Sequence, residues 1–317
     1  MSLIDIDKEE YICSLDEKSI EKARKELNEN PKDRLSSLTT FRKWIEEQKY
    51  LRCDTSAHFL LPFLRTAKFS QLKARSMLEG YLTVLSKHPE RFGNIDVKDE
   101  RFMNTLNQGD ILPLPRYDKH GRKVVLHIVR NLNTKGEVSS VDLLRKWWAQ
   151  ALLLRFDERV QVNGIAILLD CSGYNLKHFE VLSLEERKQM QALWQGNMPT
   201  RFKQFIMYNI GGMFKVIFQM VKPFISKKFQ QRTKVVNSLE EIYKEIPLEN
   251  LPEEYLPDDY VGKGAGKLAD LMEDHKLDLL KNRDRILHAT DPSKYFYDIN
   301  MKDKSVIQQS YRKISTE

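Results

Sequence analysis

Residues 202–225 read FKQFIMYNIGGMFKVIFQMVKPFI. Phe205 and Met207 share one face of an extended segment, which predicts a strand over Phe202–Tyr208, since successive side chains of a strand point to opposite sides. After Gly211 and Gly212 the period changes. At 100° per residue Ile210, Met213, Phe214, Ile217, Phe218, Met220, Val221, Phe224 and Ile225 fall on one arc, while Lys215, Gln219, Lys222 and Ser226 form a narrow polar stripe. The run is too short, and too interrupted by Lys215 and Lys222, to span a bilayer. Such a helix covers an apolar cavity, lies on a membrane, or does each in turn. The ordinary alternative is a buried helix whose lysines snorkel.

The surrounding charge points the same way. The 53 residues from Arg187 to Leu239 contain no Asp or Glu and ten Lys/Arg, so the chain, +7 overall, sums to −3 outside this window. The basic balance is therefore local, and it wraps the most apolar stretch of the chain. Positive charge around an amphipathic element suits an anionic interface.

Working outward, the first hundred residues predict helices only: Asp16–Asn28, Ser37–Gln48, Ser56–Phe69 (interrupted by Pro62) and Gln71–Ser86. From about Asp110 the pattern alternates. Val124–Val129 is a β-branched run, Ser139 or Ser140 caps a helix through Phe156, and Gly164–Leu169 is an apolar run ending at Asp170. Ser183-Leu-Glu-Glu186 is a capping box opening a helix through Trp194, Thr233–Val236 is a short strand, and Ser238-Leu-Glu-Glu241 is a second box. Strands alternating with helices predict a mostly parallel α/β sheet. The expected organisation is a helical module over 1–100, a lipid-binding βαβ domain over 101–262, and a C-terminal helix with an exposed tail over 263–317.

Composition sets outer limits. With 41% hydrophobic and 31% charged residues, the chain is neither a membrane channel nor a disordered tail. Its acidic, polar N-terminus has no secretory character, and Cys13, Cys53 and Cys171 are too few and too scattered for a disulfide framework. The expected compartment is the cytosol.

Five motifs, in order, carry a family resemblance. Phe63-Leu64-Arg65-Thr66-Ala67-Lys68-Phe69 lies in the helical module. Asp118 to Gly121-Arg122-Lys123-Val124 leads into the first strand. Asn163-Gly164 opens the apolar run to Asp170 and Gly173. Met220-Val221-Lys222-Pro223-Phe224-Ile225 ends the amphipathic helix, and Leu251-Pro252-Glu253-Glu254-Tyr255 follows the last strand. The chain thereby resembles the CRAL-TRIO lipid-transfer family, on the branch of tocopherol and retinaldehyde carriers. Three departures stand out: Pro62 where the family has Arg, Gly211-Gly212 at the hinge where it has Pro, and a near copy of the end motif, Leu256 to Gly262.

The resemblance implies an apolar pocket over the sheet, closed by the helix after Gly212 and holding one lipid. Expected pocket residues are Leu144, Trp147, Ala151, Ile165, Ile167, Leu169, Met190, Leu193, Trp194, Met198, Phe202, Phe205, Phe214, Phe218 and Val221. Each could equally be plain core. The resemblance also implies a phosphoinositide site on Arg65, Arg201, Lys203, Lys228 and Arg232, all basic here; the alternative is a solvated charged face. A bound hydrophobic ligand is expected and no other cofactor or metal. The expected partner is an anionic membrane surface rather than nucleic acid, with the chain a monomer in the cytoplasm that associates with the membrane transiently.

Enzyme readings are weak. Gly262-Lys-Gly-Ala-Gly-Lys267 lacks the spacing and hydroxyl of a phosphate loop, Cys171-Ser172-Gly173 lacks the G-x-S-x-G context, and His127, alternating with apolar residues, reads as core. A ligand-free interaction module, or a phospholipid binder, remains the competing class.

Overall fold

The computed structural model describes residues 11–221 and 226–302, apart from the side chains of Gln195, Met213, Phe214, Ile217 and Val221. In chain order its helices and strands are α1 (Glu17–Leu27), α2 (Arg34–Glu47), β1 (Leu51–Arg52), α3 (Ala57–Thr66), α4 (Gln71–Lys87), α5 (Pro89–Phe92), α6 (Glu100–Leu106), β2 (Ile111–Tyr117), β3 (Lys123–Ile128), α7 (Ser140–Arg155), α8 (Glu158–Asn163), β4 (Ile165–Asp170), α9 (Leu176–Glu180), α10 (Leu184–Ala192), β5 (Phe202–Tyr208), α11 (Gly212–Val221), α12 (Lys227–Arg232), β6 (Thr233–Val236), α13 (Leu239–Tyr243), α14 (Leu268–Lys281), α15 (Arg283–Ala289) and β7 (Phe296–Tyr297). Among the described residues no helix is long and apolar enough to cross a membrane.

These elements form two compact units. One comprises 11–95, 188–199 and 287–302; the other comprises 96–187, 200–221 and 226–286. The expected boundary near residue 100 falls at Ile95, but the chain returns twice to the first unit. The segment 263–317, expected as a helix with an exposed tail, is divided. Leu271 and Leu279 of α14 are buried in the second unit, while Ala289 and Tyr295 are buried in the first.

The first unit is helical. Asp16 caps α1 by accepting from the Ser19 amide at 2.7 Å, and Asn28 ends it in the left-handed conformation at φ 59°. Helix α3 runs through Pro62 and carries an aromatic cluster: Phe59 meets Phe63 and Tyr295 at 5.3 Å each, and Phe63 meets Tyr81 edge-on at 5.4 Å. Leu51 and Arg52 pair antiparallel with Tyr297 and Phe296, so the end of the described chain closes this unit as a two-stranded ribbon.

The second unit is built on a five-stranded sheet of order β2-β3-β4-β5-β6, parallel except for β2. Strand β2 escapes a reading of the sequence because Pro113 and Pro115 interrupt it. Proline is tolerated there because the strand lies at the edge, where half the amides need no sheet partner. The Asp118 carboxylate organises the turn into β3. Its Oδ1 accepts from the amides of His120 and Arg122 at 2.9 Å, and Gly121 supplies φ 76°. The Ser183 box forms as expected: the Ser183 amide donates to Glu186 Oε2 at 2.8 Å and the Glu186 amide to Ser183 Oγ at 3.2 Å. The Ser238 box does not. There Glu241 reaches the amide of Asn237 at 2.7 Å, and α13 lasts five residues.

Helix α14 brings His275 against α7, where Gln150 Nε2 lies 3.0 Å from His275 Nε2 and also donates to the Ile111 carbonyl at 3.1 Å. Burial disfavours the imidazolium, and Lys123 adds repulsion, which lowers His275 to about 4. Between pH 4 and the ordinary histidine range the unfolded chain therefore binds more protons than the folded one. Stability from this group is complete above pH 6.5 and is lost as pH falls towards 4, by about 3 kcal/mol at most. Denaturant titrations from pH 7 to 4 are expected to show this slope in the parent protein and a flatter one in His275→Gln. Equal slopes would remove His275 as its cause.

Candidate functional site

The two faces of the sheet differ. Val124, Leu126, Ile128, Leu168, Ile206 and Val236 point to one side and pack with Ile242, Ile246, Leu251, Tyr255 and Leu271 into a closed core. The register places Val125, Ile167, Phe205 and Thr233 in one row on the other side, and His127, Leu169, Met207 and Val235 in the next. On this second face His127, Ile167, Leu169 and Phe205 are only half-buried, although all four sit on interior strands. A row of apolar side chains at the middle of a sheet that neighbouring helices do not fully cover is an open apolar floor.

Two helices overhang this floor. On α7, Leu144 and Ala151 are buried and Trp147 is half-buried, its ring edge-on to His127 at 6.0 Å. On α11, Phe218 packs with Leu169, Met207 and Ile210. Lys215, Val216, Gln219 and Met220 face solvent, with Val216 55% and Met220 68% exposed. Met220, which the periodicity puts on the apolar arc, thus lies outward. The side chains of Phe214 and Val221, and residues 222–225 with the Lys222-Pro223-Phe224-Ile225 motif, lie outside the described residues. Beneath α11 is a cleft of about 370 Å³ lined by Ile210, Lys215, Phe218, Gln219, Gln230, Thr233 and Val235. The chain enters the helix through Asn209 at φ 52°, so the left-handed residue of this connection is Asn209 rather than either glycine.

The start of β5 assembles the basic residues. Ile165 pairs with Phe202 and Ala166 with Gln204, so Lys203 is an extra residue, a bulge that turns Phe202 to the same face as Phe205. Phe205 stacks on Phe202 at 5.9 Å and meets Phe229 in a tilted contact at 4.2 Å. This aromatic trio ties α12 to β5. Arg201 donates to the Val162 carbonyl and Arg232 to the Phe202 carbonyl. Lys228, exposed, stands one turn before Arg232 on α12. Gly164 makes the arrangement possible. At φ 81° it occupies the left-handed region, and a Cβ there would meet the Arg201 carbonyl at 2.3 Å and Lys203 Cγ at 2.8 Å.

Other expected site residues go elsewhere. Arg65 is fully buried in the helical unit, where Nε and Nη2 each reach Glu29 at 2.9 Å and Nη2 also donates to the Tyr11 hydroxyl at 3.0 Å. Glu29 binds Arg34 as well, at 2.8 Å. The Arg65 guanidinium is thus committed to that unit's core. Met190, Leu193, Trp194 and Met198 lie in the 188–199 segment, which clusters with the same unit. Leu193 and Met198 are buried, and residues 193–197 form a π-helical turn beside α4. The residues gathered on the open floor are therefore Trp147, Ile165, Ile167, Leu169, Phe202, Phe205 and Phe218, with Leu144 and Ala151 behind them.

Sequence reasoning missed a buried polar cluster at the β3 end of the floor. Asp110 Oδ1 holds Lys146 Nζ, and Oδ2 accepts from Trp147 Nε1 at 2.9 Å, with His127 Nε2 at 3.9 Å. Burial by itself would raise the Asp110 carboxyl, but Lys146 and then His127 hold it below the usual range. Burial pushes Lys146 and His127 down, Asp110 opposing in both. The available signal was Lys146, a charge set among the apolar residues of α7.

Comparison with known proteins agrees with this architecture. Residues 107–255 match the model of the CRAL/TRIO domain, and residues 30–102 that of the Pinta-like UBA domain. Alpha-tocopherol transfer protein-like of Mus musculus is 31% identical over 265 residues, covering 81% of this chain and 73% of that protein. Clavesin-1 of Xenopus laevis is 28% identical over 247 residues, covering 77% and 74%. Among solved structures, Sfh5 aligns over 86% of this chain and 99% of its own, at 10% identity and a TM-score of 0.45.

The geometry at Gly164 generates a direct expectation. Gly164→Ala combines a positive-φ backbone at ψ −170°, a conformation essentially confined to glycine that costs about 1–3 kcal/mol, with a clash against β5. Its thermal midpoint should fall by several degrees relative to the parent, as measured by circular dichroism, whereas Gly136→Ala, whose Cβ would meet nothing within 4 Å, should fall by less. Equal midpoints for Gly164→Ala and the parent would show that β5 can move away.

Proposed function

The chain belongs to the CRAL/TRIO domain family, and on that premise we propose that it is a carrier of one apolar lipid, held on the open face of the sheet beneath α11 and exchanged at anionic membranes. The observation that carries this reading is the half-buried apolar floor at the centre of the sheet. Ile167, Leu169 and Phe205 lie on strands flanked on both sides, where a sheet ordinarily completes its core. A ligand that removes roughly 400 Å² of its own apolar surface from water would gain on the order of 10 kcal/mol before entropic losses. No covalent step is required for holding or releasing it.

Alpha-tocopherol transfer protein-like, among the relatives, carries a lipid in its name, which supports the ligand class without fixing the molecule. The exposed apolar pair Val216 and Met220, beside Lys215 on α11, supports contact of that helix with a membrane surface. Arg201, Lys203, Lys228 and Arg232 gather on β5 and α12, a set suited to anionic head groups, each cation contributing roughly 1 kcal/mol near such a surface. Arg65, bound to Glu29, is not part of this set. The phosphoinositide specificity of these four, the lid action of α11 and the absence of chemistry all belong to the proposal.

Native mass spectrometry of the purified protein should find one apolar lipid per chain. Ile167→Asp should lower the affinity for added lipid at least tenfold while unfolding remains cooperative. A protein that yields no lipid, and takes up neither retinoids nor tocopherols, is instead an interaction module.

The membrane part separates by charge and by hinge. Lys203→Glu with Lys228→Glu leaves the backbone hydrogen bonds of Arg201 and Arg232 in place. It should weaken flotation with phosphoinositide vesicles several-fold and leave lipid affinity within about threefold. Undiminished flotation would move the membrane contact elsewhere. At Gly211 and Gly212 a Cβ would meet nothing within 4 Å, and neither φ lies in the region that favours glycine, so alanine fits the folded state. The double Gly→Ala variant should transfer lipid to vesicles more slowly, with affinity changed by less than about tenfold. An unchanged stopped-flow rate would place the hinge outside these two residues.

A further inference from the structure

We propose that the apolar floor ends in a seat for a hydroxyl group, formed by His127 under Trp147, so that the carried lipid is an alcohol or phenol whose polar end lies inward at β3. The inference rests on the carrier reading and adds the chemistry of the ligand and its direction. His127 stands in the row that runs from Ile111 on the edge strand through His127, Leu169 and Met207 to Val235, which lines the cleft beneath α11. With strands about 4.8 Å apart, the seat and the cleft lie roughly 14 Å from one another along the floor. Between His127 and the cleft a molecule lying on this row meets the apolar side chains of Leu169 and Met207, and at the cleft itself Val235 stands among the polar Lys215, Gln219, Gln230 and Thr233.

The imidazole is a quarter exposed and makes no hydrogen bond among the described residues. Its Nε2 is buried and faces Asp110 Oδ2 at 3.9 Å. Lys146 on the other carboxylate oxygen and Trp147 Nε1 on the same one fix Asp110 in place, and Lys146 balances its charge. A carboxylate oxygen 3.9 Å from Nε2 favours the proton there, which leaves Nδ1 as an acceptor. An acceptor in an otherwise apolar floor selects a ligand that donates. A hydroxyl does so. An ether, ester, aldehyde or hydrocarbon leaves the nitrogen unpaired, and an anion would add negative charge beside Asp110.

The test uses the full-length chain and two matched pairs: retinol with retinyl methyl ether, and α-tocopherol with its methyl ether. Of any pair that binds, the hydroxylated member should bind about tenfold more tightly, the effect of one hydrogen bond to a buried acceptor. His127→Leu should abolish that difference without weakening the ether, and His127→Gln, whose amide oxygen accepts, should restore part of it. Equal affinities within a pair for the parent protein, or a preference that survives in His127→Leu, overturn the seat and leave the carrier standing. The co-purified lipid is an independent arm: a hydroxylated molecule supports the seat, and one without a hydroxyl overturns it. If no lipid co-purifies and none of the four probes binds, the carrier reading falls and the seat with it.

Discussion

The sheet unit is organised about the Asp170 carboxylate at the C-terminal end of its central strand. It is buried, and Oδ2 accepts from the Tyr255 hydroxyl and from Arg130 at 2.6 and 2.5 Å, while Oδ1 accepts from the Ser172 amide at 2.9 Å. Burial alone would raise this carboxyl; the bonds from Ser172, Tyr255 and Arg130 outweigh it and hold the group ionised. Three distant pieces of chain meet here: the turn after β3, the end of β4, and the Leu251–Tyr255 motif beyond the sheet. The connection into α11 grows from the same corner. Cys171 donates its amide to the Tyr208 carbonyl at 2.9 Å, and Asn209 donates its side-chain amide to Ser172 Oγ at 3.0 Å. The helix that overhangs the floor is thereby mounted on a fixed, charge-assisted anchor.

Much of this was legible in the sequence for a physical reason: the elements concerned interact locally. The alternation in 202–208, the apolar run 165–170, the Ser183 box and the helix after Gly211 each depend on period or on contacts three to four residues apart. Strand β2 was not legible, because its two prolines speak against a strand unless the edge position is known. The fate of Arg65 was not legible either. Its partner Glu29 lies 36 residues away, and a motif match records the residue without recording which charge neutralises it. The Met190–Met198 group was read from the helix that carries it, yet that segment joins the helical unit. The Lys203 bulge, invisible to a period of two, is what turns Phe202 to the face of Phe205.

The two sheet faces serve different ends. One is a closed core of aliphatic side chains that supplies stability. The other leaves apolar area half-covered on interior strands, and buries an ion pair, Asp110 with Lys146, where a hydrocarbon pair of similar volume would be at least as stabilising. On the proposed reading both features are consistent, because a surface shaped to receive a guest is incomplete without one. Occupancy would then add to fold stability in proportion to affinity.

The short ribbon between Leu51 and Tyr297 carries a consequence for how the chain is made. Strand β7 pairs with β1 across a loop of about 250 residues, and between them the chain builds the whole sheet unit. During synthesis helices α1 to α5 emerge before the sheet unit but lack both the 188–199 segment and their last strand. They wait, partly unfinished, while the sheet forms from contacts nearer in sequence. The helical unit leaves the ribosome ahead of the sheet unit yet is completed after it, so its apolar surface is the one most in need of shielding while translation proceeds.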